Sequence, residues 1–223
     1  MNILNKINNG WIPFFEKNNT ELTAILNSIN FDSDTIYPSK KDIFRSLFYF
    51  SPSEIKLVIL GQDPYISSEN GIPQACGLSF SVPKNHKKIP PSLQNIFKEI
   101  KNSYPDYQIP GNGCLKRWVK KEKILLLNSA LTVIKGKSNS HAKLWSSFTD
   151  NLIRFISENN NHTIFLLMGN FAINKEMLID NKHKIFKIVH PSPLSAHRGF
   201  FGSNIFKEIN NYLETKEIQV INW

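Results

Sequence analysis

Three polar side chains each stand directly behind an apolar run: Asp63 after "IKLVILGQ", Asn128 after "KILLL" and His190 after "KIFKIV". A carboxylate can activate water or stabilise developing positive charge. An imidazole can donate to a group that gains negative charge, and a carboxamide can read a ligand edge with one donor and one acceptor. Each type also has an ordinary structural use. Aspartate caps helices or makes Asx turns, asparagine closes strands through backbone groups, and histidine can sit partly buried and satisfied. Convergence of all three at one edge favours chemistry over those uses.

The surrounding elements predict that convergence. The apolar runs at 55–60, 123–127, 163–168 and 184–189 are continuous rather than alternating, as in strands covered on both faces. Between them, "PPSLQNIFKEIKNSY" sets Leu93, Ile96, Phe97 and Ile100 at helical spacing. The segments 145–160 and 203–214 do the same with Phe148, Leu152, Phe155 and Ile156, and with Phe206, Ile209 and Leu213. "ELTAILNSI" and "KKDIFRSLFYF" (40–50) also read as helices. Strands separated by helices pair in parallel, so the expected class is α/β. In such a sheet the ligand crevice lies beyond the carboxyl ends of the strands. Asp63, Asn128, Asn170 (behind Gly169) and His190 are therefore expected at one edge.

Bulk properties set the frame. With 223 residues, 41% hydrophobic and 20% charged, and no repeat or linker, the chain reads as one soluble domain spanning 1–223. No stretch is long and apolar enough to span a bilayer, and the opening segment lacks the pattern of a secretory signal. Cys76 and Cys114 have no CxxC or HxxxH company, which argues against a disulfide framework or a zinc site and for a reducing cytoplasm. The net charge of +9 favours an anionic partner, nucleic acid ahead of membrane, although a lysine-rich composition from an AT-rich genome would give the same figure.

Two stiff loops sharpen the reading. In "HPSPLSAHRGFFGSN" (190–204), Pro191 and Pro193 restrain the chain around Ser192, and Leu194 follows, flanked by Ser195, His197 and Arg198. An apolar tip on a rigid loop, beside hydroxyls and a guanidinium, is what a wedge into a DNA base stack requires. A proline-rich turn over a buried leucine is the plainer reading. "KKIPPSLQN" (87–95) offers Pro90, Pro91 and Ser92 at a helix start, where a phosphate can also bind. Phe80 and Tyr65 are either core residues or the walls of a pocket for a flat base. "KNHKK" (84–88) reads as a solvated turn.

Six motifs, in order, carry a family resemblance: "GQDPY", "GLSFSV", "IPPSL", "LLLNSALTV", "SHAKLW" with "FTD", and "HPSPLSAHRGFFGSN". They resemble the uracil-DNA glycosylases of family 1 (UNG-type), and the likeness runs from "TIYPSKKDIF" (35–44) to the closing "VINW". The resemblance implies a single α/β domain around a central four-stranded parallel sheet flanked by helices. It implies that Asp63 activates water at the sugar C1′ and that His190 donates to uracil O2. Asn128 would read the uracil edge, Gln62 would add its backbone, Phe80 would stack under the ring, and Tyr65 would fill the space of a thymine methyl. Leu194 would enter the stack, with Ser92, Ser192 and Ser195 holding the backbone; Pro90, Pro91, Gly169, Asn170, Pro191, Pro193 and Arg198 complete the implied DNA contact. The implied partners are single- and double-stranded DNA containing uracil, and a proteinaceous glycosylase inhibitor. The implied state is a monomer that needs no metal or cofactor.

Three departures stand out. Ile66 replaces the histidine expected after "GQDPY", a residue thought to help hold the water and a nearby phosphate. The stretch "ISSENGIPQACGL" is longer than its usual counterpart, with Cys76 where a histidine is common, and Asn170 replaces a serine. An alternative of another class is a weakly catalytic DNA-binding or polymerase-accessory protein on the same fold. Joint retention of Asp63, Asn128 and His190 argues against it, because a carboxylate facing phosphates only weakens binding.

Overall fold

The four apolar runs form one parallel sheet: β1 (Leu57–Gly61), β2 (Ile124–Asn128), β3 (Ile164–Met168) and β4 (Lys184–Ile188), in the order β2-β1-β3-β4. The computed structural model describes residues 3–31, 33 and 35–223. Strands β1 and β3 are buried along their whole length, and β2 is buried except at its last residue, as continuous apolar sequence requires. Strand β4 lies at the sheet edge and is only partly covered, so Lys184 and Lys187 fit among its apolar residues.

Helices Pro91–Ser103, Ala142–Glu158 and Ile205–Thr215 bury the predicted apolar stripes against this sheet and one another. The second begins three residues ahead of the predicted start, and Asn19–Ser28 is helical as expected. A short helix, Lys116–Glu122, leads into β2 and was not read from the sequence.

One predicted helix does not form. Over 40–50 the chain makes two short 3₁₀ turns, Lys40–Asp42 and Arg45–Leu47. Ile43, Phe44, Leu47 and Phe50 are still buried, at the spacing that suggested a helix. The backbone of Asp42, however, is pressed against Gly77, where a Cβ would lie 1.8 Å from the Asp42 carbonyl oxygen. Gly77 also adopts a φ of +78°, which only glycine takes readily. Tertiary contact here overrides local periodicity.

Candidate active site

Parallel order places four strand ends side by side. Reading across the sheet they are Asn128, Asp63, Asn170 and His190, as predicted. A cleft of about 240 Å³ opens there, lined by Gln62, Asp63, Tyr65, Phe80, Asn128 and His190 and also by Ser92 and Ser138. An adjoining groove runs from Gln62 and His190 to Gly169 and Asn170.

Gly61 and Asn128 pair across the ladder at the strand ends. A Cβ on Gly61 would lie 2.2 Å from Asn128 Oδ1, so the missing side chain is what lets the carboxamide cross β1 into the cleft. Two backbone bonds lock this corner: Ser129 N–H donates to the Gly61 carbonyl at 3.0 Å and Ala130 N–H to that of Gln62 at 2.9 Å.

On the opposite side, Tyr65 Oη donates to the Phe80 carbonyl oxygen at 3.0 Å, and burial pushes its phenol well above the ordinary range. Phe80 itself has a φ of +60°, a conformation unfavourable for an aromatic residue that persists only where its surroundings enforce it. Its ring lies 6.0 Å from that of His190, centroid to centroid and tilted by 35°, and both residues line the cleft.

His190 is held in one tautomer. Ser192 N–H donates to its Nδ1 at 3.1 Å, so a neutral ring carries its proton on Nε2. Desolvation lowers its pKa, which favours that neutral donor. The same turn is tied by Ser195 Oγ, which donates to the His190 carbonyl at 2.8 Å and contacts Ser192 Oγ at 2.8 Å. Ser195 and Ala196 N–H both bond the Ser192 carbonyl, and the apex between them carries Leu194, 83% exposed. A leucine presented to solvent in this way is a prominence rather than a core residue. Pro193 and Arg198 are exposed beside it.

Pro90 and Pro191 are buried, whereas Pro91 is exposed at the first turn of its helix. The Pro191 carbonyl accepts from Asn95 Nδ2 at 2.8 Å. One helical turn on, the fully buried Glu99 accepts N–H bonds from Gly202 and Asn204, each at 2.8 Å. Asn95 and Glu99 thus clamp both ends of the 190–204 loop to helix Pro91–Ser103, a role the sequence reading missed. The available signal was two polar residues, four apart, adjoining the apolar stripe of Leu93, Ile96, Phe97 and Ile100.

The departures acquire structure. Ile66 packs against Tyr37, Ala75 and Val133, and its carbonyl accepts Gly136 N–H at 3.0 Å. The longer loop is a β-hairpin, Ser68–Glu69 with Ile72–Pro73, turning at Asn70-Gly71. His86, expected in a solvated turn, is instead buried, and its Nε2, 3.2 Å from the Pro73 carbonyl oxygen, ties the hairpin down, while Lys84, Lys87 and Lys88 are exposed. Cys76 is buried with its thiol 3.4 Å from the Ser81 carbonyl, and burial raises its pKa. Asp63 Oδ2 accepts Ser138 Oγ at 2.9 Å and Asn139 N–H at 2.7 Å.

Three histidines fix the direction of one pH effect. Burial lowers the pKa of His141, His183 and His190 below the ordinary 6.5. Below pH 6.5 the unfolded chain takes up protons at these sites that the folded chain refuses. Their contribution to stability is therefore whole above that pH and lost as pH falls toward the folded values. A thermal melt should show a lower Tm at pH 5.5 than at 7.5; an equal or higher value at 5.5 would contradict the assignment.

Known proteins share this fold and much of this sequence. The model of the uracil DNA glycosylase superfamily matches residues 48–214. A uracil-DNA glycosylase of Photorhabdus laumondii is 49% identical over 191 residues, 85% of this chain and 82% of that protein. One from Buchnera aphidicola is 47% identical over 219 residues, 96% of this chain and 94% of its own. Among solved structures, mimivirus uracil-DNA glycosylase superposes with a TM-score of 0.88 at 30% identity, covering 100% of this chain and 89% of that one. A mimivirus UNG variant in complex with UGI gives 0.90 at 31%, covering 98% and 91%. Motif order, sheet topology and these relatives together place the chain in the uracil DNA glycosylase superfamily.

Proposed function

We propose that the protein is a monofunctional uracil-DNA glycosylase that flips deoxyuridine out of DNA, hydrolyses the N-glycosidic bond, releases uracil and leaves an abasic site, the first step of base excision repair. The observation that carries this reading is the Ser192 N–H bond to His190 Nδ1, which leaves a neutral ring to carry its proton on Nε2, in the same cleft as Asp63. A base within a duplex is out of reach, and extruding it costs a few kcal/mol. The exposed Leu194 fills the vacated stack, while Ser92, Ser192 and Ser195 with the adjoining Gly169–Asn170 groove hold the phosphates.

In the pocket, uracil stacks on Phe80, and Asn128 accepts from N3–H and donates to O4. Cytosine presents the reverse pattern and leaves that amide unpaired. As the C1′–N1 bond lengthens, the electron pair passes to uracil, and His190 Nε2–H stabilises the charge on O2 much as an oxyanion hole would. Asp63 faces the positive charge developing on the sugar and takes the proton of the water that adds to C1′. One carboxylate suffices because the leaving group departs as a delocalised anion.

Single- and double-stranded uracil-containing DNA are the proposed substrates, read by a monomeric chain of 1–223 acting in the cytoplasm without metal or cofactor. No helix among the described residues is long and apolar enough to cross a membrane. A proteinaceous inhibitor is a further proposed partner, supported by the solved mimivirus relatives that are complexes with UGI.

The test is direct. Incubated in EDTA with uracil-containing DNA, the protein should release free uracil; no release above background would reject the activity. A second outcome follows from the corner at β1. Gly61→Ala forces Asn128 aside by overpacking, and kcat/KM for uracil release should fall roughly 10- to 100-fold. An unchanged value would show that Asn128 does not read the base from its present position.

A further inference from the structure

Asp63 is gripped through one oxygen. Ser138 Oγ and Asn139 N–H both donate to Oδ2, and among the described residues Oδ1 has no protein donor. Two donors converging on one oxygen restrain the rotation of the carboxylate of a residue that lines the cleft. The backbone donor depends on an unusual conformation, since Asn139 takes a φ of +61°. Its side-chain oxygen also accepts from Gln62 Nε2, which ties this turn to the residue preceding Asp63. Ser138 lines the same cleft.

The neighbouring position is silent. Ile66, where the resemblance leads one to expect an imidazole, spends its side chain on Tyr37, Ala75 and Val133 and offers no polar atom. The side-chain donor found on Asp63 comes instead from the adjoining turn, whose Gly136 N–H bonds the Ile66 carbonyl, 75 residues along the chain from Asp63. A hydroxyl bonded to a carboxylate is charge-assisted, and it strengthens when bound DNA excludes water from the cleft.

We propose that Ser138 is a positioning residue for the reaction: its hydroxyl aligns Asp63 for attack at C1′ and supplies from this turn the polar support that Ile66 cannot. The inference rests on the glycosylase reading above. A residue that acts only by aligning the carboxylate affects the chemical step and leaves ground-state binding alone. Ser138 is exposed, so its replacement should not disturb the fold.

The experiment is single-turnover uracil release, with DNA affinity and Tm measured on the same samples. Ser138→Ala should slow release roughly tenfold, the loss of one hydrogen bond to a charged group, with Kd for uracil-containing DNA and Tm both unchanged. Ser138→Thr, which keeps the hydroxyl, should restore most of the rate. Active wild type with an unaffected Ser138→Ala overturns the inference alone, as does a loss that Thr fails to rescue or that appears in Kd instead of rate. Wild type without uracil release overturns the glycosylase reading and this inference with it.

Discussion

Asp63→Asn should reduce the rate of uracil release by roughly 10²–10⁴-fold while leaving DNA affinity intact or slightly increased. The substitution is close to isosteric. An amide oxygen can still accept from Ser138 Oγ and Asn139 N–H, so the local turn survives. What disappears is the negative charge and the proton acceptor. Asp63 lines the cleft, and on the proposed reading a full charge there stabilises an oxocarbenium-like transition state more than a neutral substrate. Binding moves the other way, because a carboxylate near phosphates opposes association. Rate by rapid quench and affinity by fluorescence anisotropy separate the two. Collapse of affinity, or an unchanged rate, would mean that Asp63 holds the loop and does no chemistry.

Tyr65→Ala should release thymine, and the wild type should release none. The phenol ring is part of the cleft wall, and its hydroxyl anchors the Phe80 carbonyl. Removing the ring opens space for a 5-methyl group, and discrimination of this steric kind amounts to about 10- to 200-fold per methyl-sized volume. The same change frees Phe80 from the bond that helps hold its φ of +60°, so uracil release should slow as well. Tyr65→Phe separates the effects: the wall stays and the hydrogen bond goes, so uracil release slows while thymine remains excluded. Thymine release by Tyr65→Phe, or none by Tyr65→Ala, would show that another residue sets the pocket's width. Liquid chromatography of released bases from T·A and U·A duplexes provides the readout.

Much of this site was legible in the sequence because its parts obey local rules. A continuous apolar run is a covered strand wherever it lies, and parallel strands send their carboxyl ends to one edge. Asp63, Asn128 and His190 could therefore be brought together without knowing a single contact. The 190–204 loop was legible for the same reason, since its prolines act on the backbone directly. The 40–50 segment was not, because the contact of Asp42 with Gly77 lies 35 residues away and overrules a helical spacing that the sequence does display.

The sequence by itself determined the strands, the edge and the chemical types that meet there, since hydrophobic periodicity and strand direction are properties of short stretches. Only the tertiary structure decided how those groups are aimed. The tautomer of His190 depends on the turn to Ser192, and the clamp on its loop joins Asn95 and Glu99 to residues 96 to 105 positions distant. The direction of Asp63 depends on Ser138 and Asn139, and the hairpin behind Ile66 is tied to a buried His86 through the Pro73 carbonyl. Hydrogen bonds between distant segments leave no periodicity to read. They exist because folding removes water from polar groups that must then find one another, and which ones meet is fixed only once the chain is packed.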